Sequence, residues 1–137
     1  MTRPVVDAVF FDTNVLLYVL SADTQKADVA ERRLAQGGAT SVQALNEFTN
    51  VSSRKFCMPL ADVREALAVL RRCLTVVPVT QEVHALGLNL LERYRFSVYD
   101  SMIVAAALIS ECTVLWTQDL QSGLKVDRRL ELRNPFS

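Results

Sequence analysis

Residues 5–18 read VVDAVFFDTNVLLY, an apolar run with Asp12, Thr13 and Asn14 set in its middle. The Val- and Phe-rich half, residues 5–11, predicts a buried strand, and the stretch from about Asn14 to Leu20 predicts a short apolar helix. The polar triplet therefore falls where strand gives way to helix. Polar groups withdrawn from water cost several kcal/mol unless they find partners. Either these three residues only turn the chain and cap the helix, or a positive charge sits against them.

Working outward, strand-like and helix-like stretches alternate along the whole chain. Asp23 or Thr24 can cap a helix with Ala27, Ala30 and Leu34 on one face, stopped by Gly37 and Gly38. ATS at 39–41 predicts a short strand, with Ser41 capping a helix to about Phe56. Pro59 opens another helix through Cys73, on which Val63, Ala66, Leu67 and Leu70 form one stripe. TVVPV at 75–79 predicts a strand held to a sheet edge by Pro78. A helix over 81–94 follows, then the nearly all-apolar YDSMIVAAALIS at 99–110, a buried helix. TVLWT at 113–117 predicts a further strand, and ELRNPF near the end a last short one. Strands joined by helical crossovers imply an α/β fold, a three-layer α/β/α sandwich with a mainly parallel sheet. No linker or repeat divides the chain, so residues 1–137 read as one domain.

The composition narrows the function classes. Half of the 137 residues are hydrophobic, with only four Gly and four Pro, which excludes wholesale disorder. Fifteen basic residues balance fifteen acidic ones, so no overall field marks a nucleic-acid coat or a membrane-surface protein. Any phosphate contact must come from a local patch or a bound cation. Cys57, Cys73 and Cys112 lack zinc-ligand spacing and read as buried free thiols in a reducing compartment. Asp7 and Asp12 interrupt what would otherwise imitate a secretory signal, and MIVAAALI at 102–109 is far too short for a membrane span. The expectation is a soluble, cytoplasmic protein.

Four acids sit among apolar neighbours. Asp12 and Asp119 each lie just past a strongly apolar strand, so both point out of the carboxyl edge of the sheet, where α/β folds gather their sites. Asp100 begins the buried helix, and Glu47 lies in SVQALNEF beside Leu45 and Phe48. Taken singly, Asp12 and Asp100 could be helix caps, Asp119 a turn residue and Glu47 a solvated helix residue. Taken together, converging carboxylates would repel unless a cation screened them. Oxygen ligands without Cys or a spare His suit Mg²⁺ or Mn²⁺, ions that activate water against phosphodiesters. His84, the single histidine, cannot build a two-histidine ribonuclease and reads as a helix-surface residue. No GxSxG, P-loop or GxGxxG occurs.

FDTNVLLY, then NE at 46–47, YDSMIVAAAL and TQDLQSG together resemble the PIN domain, specifically the VapC-like ribonuclease toxins of toxin–antitoxin pairs. The resemblance spans essentially the whole chain in order. It implies that Asp12, Glu47, Asp100 and Asp119 bind Mg²⁺ or Mn²⁺. Thr13 and Asn14 would then position the first carboxylate, and Thr117 or Ser41 would support the site. It further implies endonucleolytic hydrolysis of RNA, a homodimer, and a cognate antitoxin that silences the site. Many relatives carry a further acid after the last one, as in TxDxDF; here Leu120 and Gln121 follow Asp119. One firmly held ion with a second recruited by substrate fits this as well as two. Candidate phosphate contacts are Arg54 and Lys55, Arg93 and Arg95, and Arg128 and Arg129; Arg93 and Arg95, shortly before Asp100, are the preferred RNA contacts. The alternatives are an inactive PIN-like scaffold and a phosphoacceptor domain, the latter wanting a lysine that only a misplaced Lys125 could supply.

Overall fold

Phe10 and Phe11 in β1 (Val9–Phe11) and Val114, Leu115 and Trp116 in β4 (Val114–Trp116) are all buried, and the two strands pair in parallel with Phe11 opposite Trp116. The computed structural model describes residues 8–137, so residues 5–7 of the expected first strand lie outside the described residues. On one side of this central pair lie β2 (Ala39–Ser41) and then β3 (Thr75–Val77), both parallel. On the other side lie β6 (Leu130–Arg133), also parallel, and the antiparallel β5 (Lys125–Val126). The order is β3-β2-β1-β4-β6-β5. Strands buried on both faces read as unbroken apolar runs rather than alternating ones, which is what VFF and VLW are.

Among the described residues six α-helices flank the sheet as an α/β/α sandwich: α1 (Thr13–Leu17), α2 (Thr24–Ala35), α3 (Val42–Asn50), α4 (Leu60–Cys73), α5 (Gln81–Tyr94) and α6 (Val98–Ile109). Every residue from Ser101 to Leu108 in α6 is buried, as its all-round apolar sequence requires. Two caps fix helices that matter below. Ser41 accepts the Ala44 N–H at 3.2 Å to start α3, and Ser97 accepts the Asp100 N–H at 3.2 Å to start α6. Among the described residues no helix is long and apolar enough to cross a membrane.

Three local expectations need correction. The helix after Asn14 stops at Leu17 and tightens into a 3-10 turn, Tyr18–Leu20. The helix after Ser41 does not reach Phe56 in one geometry. The Ser52 and Ser53 hydroxyls donate back to the Phe48 and Thr49 carbonyls at 2.6 and 2.7 Å, and Val51–Lys55 widens into a π turn. Cys57 and Cys73 are exposed and only Cys112 is buried, because Cys73 lies off the apolar stripe of α4 and Cys57 in a left-handed turn after the π segment. Strand β5 was not expected. Its two residues pair only because Asp127 and Arg128, at φ 50° and 59°, close a tight hairpin onto β6.

Two glycines give opposite expectations. Gly38 has φ +145°, and a Cβ there would stand 2.7 Å from Val9 Cγ2 and 2.8 Å from the Val9 carbonyl oxygen. Gly38→Ala should therefore cost at least about 2 kcal/mol in urea denaturation. Gly87 faces the flexible end of Met102 instead, with Cε at 2.7 Å. Methionine can swing aside while alanine improves α5, so Gly87→Ala should stay within about 1 kcal/mol of the parent.

Candidate active site

The pairing of β1 with β4 places Asp12 and Thr117 side by side at the carboxyl ends of both strands. The Asp12 N–H continues the ladder by donating to the Trp116 carbonyl at 3.0 Å. The Asp12 side chain is only 4% exposed. One carboxylate oxygen accepts the Thr13 N–H at 2.6 Å, and the other accepts the Thr117 hydroxyl at 2.8 Å. Asp12 is thus the cap of α1 and at the same time a buried acid at the sheet edge.

Around it stand the other three acids. Glu47, part-buried on α3, accepts the Thr13 hydroxyl at 3.3 Å; the same hydroxyl lies 3.4 Å from the Ala44 carbonyl. Asp100 is half-buried in the first turn of α6, after the Ser97 cap rather than as the cap itself. Asp119 is exposed on the turn that follows Thr117. Ser41 is fully buried but serves as the cap of α3, one step removed from the acids. Asn14 reaches across to accept the Gln118 N–H at 3.2 Å, while its Nδ2, buried, has no partner among the described residues. Arg93 is committed to Asp127 at 2.8 Å, and Arg95 ends α5 at φ 63°.

The electrostatics show how close the acids are. Burial pushes the Asp12 carboxyl up to about 7; the Thr117 bond opposes this, and repulsion from Asp100 and Glu47 adds to it. Glu47 is raised by burial, opposed by the Thr13 hydroxyl, with Asp100 and Asp119 pushing it further. Asp100 is raised by burial, opposed by Ser97 and reinforced by Asp119. Each of these three is therefore raised further by at least one neighbouring acid. Among the described residues no three His, Cys, Asp or Glu side chains are already drawn into a cation cage. The donors at this edge are nonetheless all oxygen, from carboxylates and threonine hydroxyls, a set that suits a hard divalent cation.

Tyr18 and Gln118 were missed. The Tyr18 hydroxyl donates to Gln118 Oε1 at 2.7 Å, 100 positions along the chain, and nothing in either residue's local sequence signals the pairing.

The PIN domain family model matches residues 9–124. No curated protein matches the chain by sequence. Among solved structures the chain is similar to a toxin–antitoxin complex from Klebsiella pneumoniae, with TM-score 0.71 at 19% identity, covering 93% of this chain and 98% of that one. It is also similar to VapC20 of Mycobacterium tuberculosis, a sarcin–ricin loop cleaving toxin, with TM-score 0.68 at 22% identity over 82% and 90% of the two chains. A third is VapBC2 from Rickettsia felis bound to a promoter DNA fragment, with TM-score 0.66 at 20% identity over 93% and 98%. At these identities the structures speak for the fold, and the family match over most of the chain speaks for descent: the chain belongs to the PIN domain family.

Proposed function

We propose that the protein is a Mg²⁺- or Mn²⁺-dependent endoribonuclease, the toxin of a toxin–antitoxin pair. The observation that carries this reading is geometric: Asp12 is buried at the carboxyl edge of the central strands between the Thr13 amide and the Thr117 hydroxyl, and the Thr13 hydroxyl links it to Glu47. Asp12, Glu47, Asp100 and Asp119 are the residues that would hold the cation. When bound, such an ion supplies an activated water and neutralises charge on the leaving oxygen of a phosphodiester. The chain's own part is orientation. Thr117 fixes one oxygen of Asp12, the Thr13 amide fixes the other, and the Thr13 hydroxyl holds Glu47. A divalent ion would relieve the desolvation and repulsion that raise these acids, displacing any proton they hold as it binds. A scaffold without catalysis would not need four acids held in mutual repulsion.

An antitoxin partner is supported by an apolar groove of about 730 Å³ beside the acids. Leu17, Tyr18, Leu20, Val51, Phe56 and Met58 line it, and Lys55 and Asn14 stand within it. Its shape and lining suit the apolar face of an amphipathic helix carrying an acid for Lys55. Similar proteins include a toxin–antitoxin complex, and VapC20 is a sarcin–ricin loop cleaving toxin; both bear on partner and substrate class. A homodimer completes the proposal.

Asp12→Asn should reduce RNA cleavage to background in a gel assay with Mg²⁺ while leaving the circular dichroism unchanged. Cleavage at the parent rate would overturn the assignment. The same substitution should alter stability in a pH-dependent way. Because the folded pKa of Asp12 lies above its unfolded value of 3.8, the favourable contribution of this group is complete below about pH 4 and lost as pH rises through about 7. Cation-free Asp12→Asn should thus gain on the parent across that window, by up to about 4 kcal/mol, and added Mn²⁺ should erase the gain. Phe56→Asp should weaken antitoxin binding by about 2 kcal/mol in calorimetry while the protein folds as before, Phe56 being 47% exposed.

A further inference from the structure

Two of the four acids accept a hydroxyl on the carboxylate, Asp12 from Thr117 and Glu47 from Thr13, and Asp100 is set by the Ser97 cap, which accepts its N–H. Asp119 differs. Among the described residues its carboxylate accepts no hydrogen bond, and it is exposed on the turn 118–120. Its position must come through the backbone on either side.

That backbone is fastened. On the far side, the Leu120 N–H lies 3.5 Å from Thr117 Oγ1, the same hydroxyl that donates to Asp12. On the near side, Gln118 is held twice, its N–H by Asn14 Oδ1 at 3.2 Å and its side-chain Oε1 by the Tyr18 hydroxyl at 2.7 Å. Tyr18 is itself braced. Its ring meets Phe136 edge-on with centroids 4.6 Å apart, and Lys26 Nζ sits 5.0 Å from the ring centroid and 3.4 Å from the hydroxyl. A cation over the ring and beside the oxygen favours the hydroxyl as donor, because the ammonium occupies an acceptor lone pair.

We propose that Tyr18 and Gln118 are positioning residues, a clasp between the end of α1 and the turn after β4 that sets where Asp119 stands relative to Asp12. The inference rests on the reading of the four acids as cation ligands. The clasp acts through the main chain. With its N–H held by Asn14 and its Oε1 by Tyr18, Gln118 cannot turn its backbone without breaking a bond, so Asp119 is presented to the site ready-placed. A carboxylate free to wander must be ordered when the cation binds, and that ordering cost subtracts from affinity.

Tyr18→Phe removes one oxygen and keeps the ring against Phe136 and Lys26; Gln118→Ala removes the other half of the clasp. Calorimetric titration with Mn²⁺ alone should show affinity about tenfold weaker in either variant, with the cation-free melting temperature near that of the parent. The double variant should be no weaker than either single one, since both break the same bond. RNA cleavage should fall at low Mg²⁺ and recover at saturating Mg²⁺, with KM for RNA unchanged. If the parent binds Mn²⁺ and cleaves RNA while both single variants titrate as it does, the clasp is overturned and the four-acid reading stands. Additive losses in the double variant would also overturn it, because the two side chains would then act separately. If the parent neither binds Mn²⁺ nor cleaves RNA, the clasp falls together with the four-acid reading.

Discussion

The hydrogen bond from the Thr117 hydroxyl to Asp12, 2.8 Å long and fully buried, is the constraint on which the rest of the acidic edge depends. It ties the ends of the two central strands together where the main-chain ladder runs out. Without it the most buried acid would lose a stabilising partner and the turn carrying Asp119 would lose its origin. A carboxylate this deep is sustained only when its oxygens are satisfied, and here one donor comes from each strand end. The parallel register, Phe11 against Trp116, is therefore as much a part of the site as the acids are.

Much of this was legible in the chain because it rests on local patterns. VFF, VLW and the run Met102–Leu108 are apolar without interruption, and burial on every side is the only environment such segments accept. Asp12 and Asp119 could be placed at one edge because parallel strands end on the same side, and the starts of α2 and α3 followed from the capping residues Asp23 and Ser41. What escaped depends on pairs distant in sequence or on competing local bonds. The π turn arises from two serines bonding backward, and Ser52 and Ser53 look unremarkable as letters. Strand β5 exists only through its partner, and the Tyr18–Gln118 bond joins residues with no reason to be compared before folding. Burial of the cysteines was inferred from residue type, a weaker guide than position on the helix face.

Stability and chemistry pull against each other at this edge. Asp12, Glu47 and Asp100 are all raised by burial, and each is raised further by a neighbouring acid. Elsewhere the chain places acids beside cations: Asp127 is lowered by Arg93 and by the Tyr94 hydroxyl, in a clasp that pins α5 to the β5–β6 hairpin. The contrast separates an acid that serves the fold from acids that burden it. Concentrated destabilisation in one place, amid otherwise ordinary packing, is what a binding site looks like from the side of folding.

The short strands have a last consequence, for how the molecule meets others. One rim of the sheet is β3, three residues long and closed by Pro78, which has no N–H to offer; the other is β5, two residues long and bent back by its hairpin. Neither rim can template an incoming strand for more than a bond or two. Recognition by strand addition is thereby denied among the described residues, and misassembly through the sheet is denied with it. Among the described residues, the surfaces left to carry contacts are the grooves and flanks of the helices, where side-chain identity rather than main-chain pairing sets what fits.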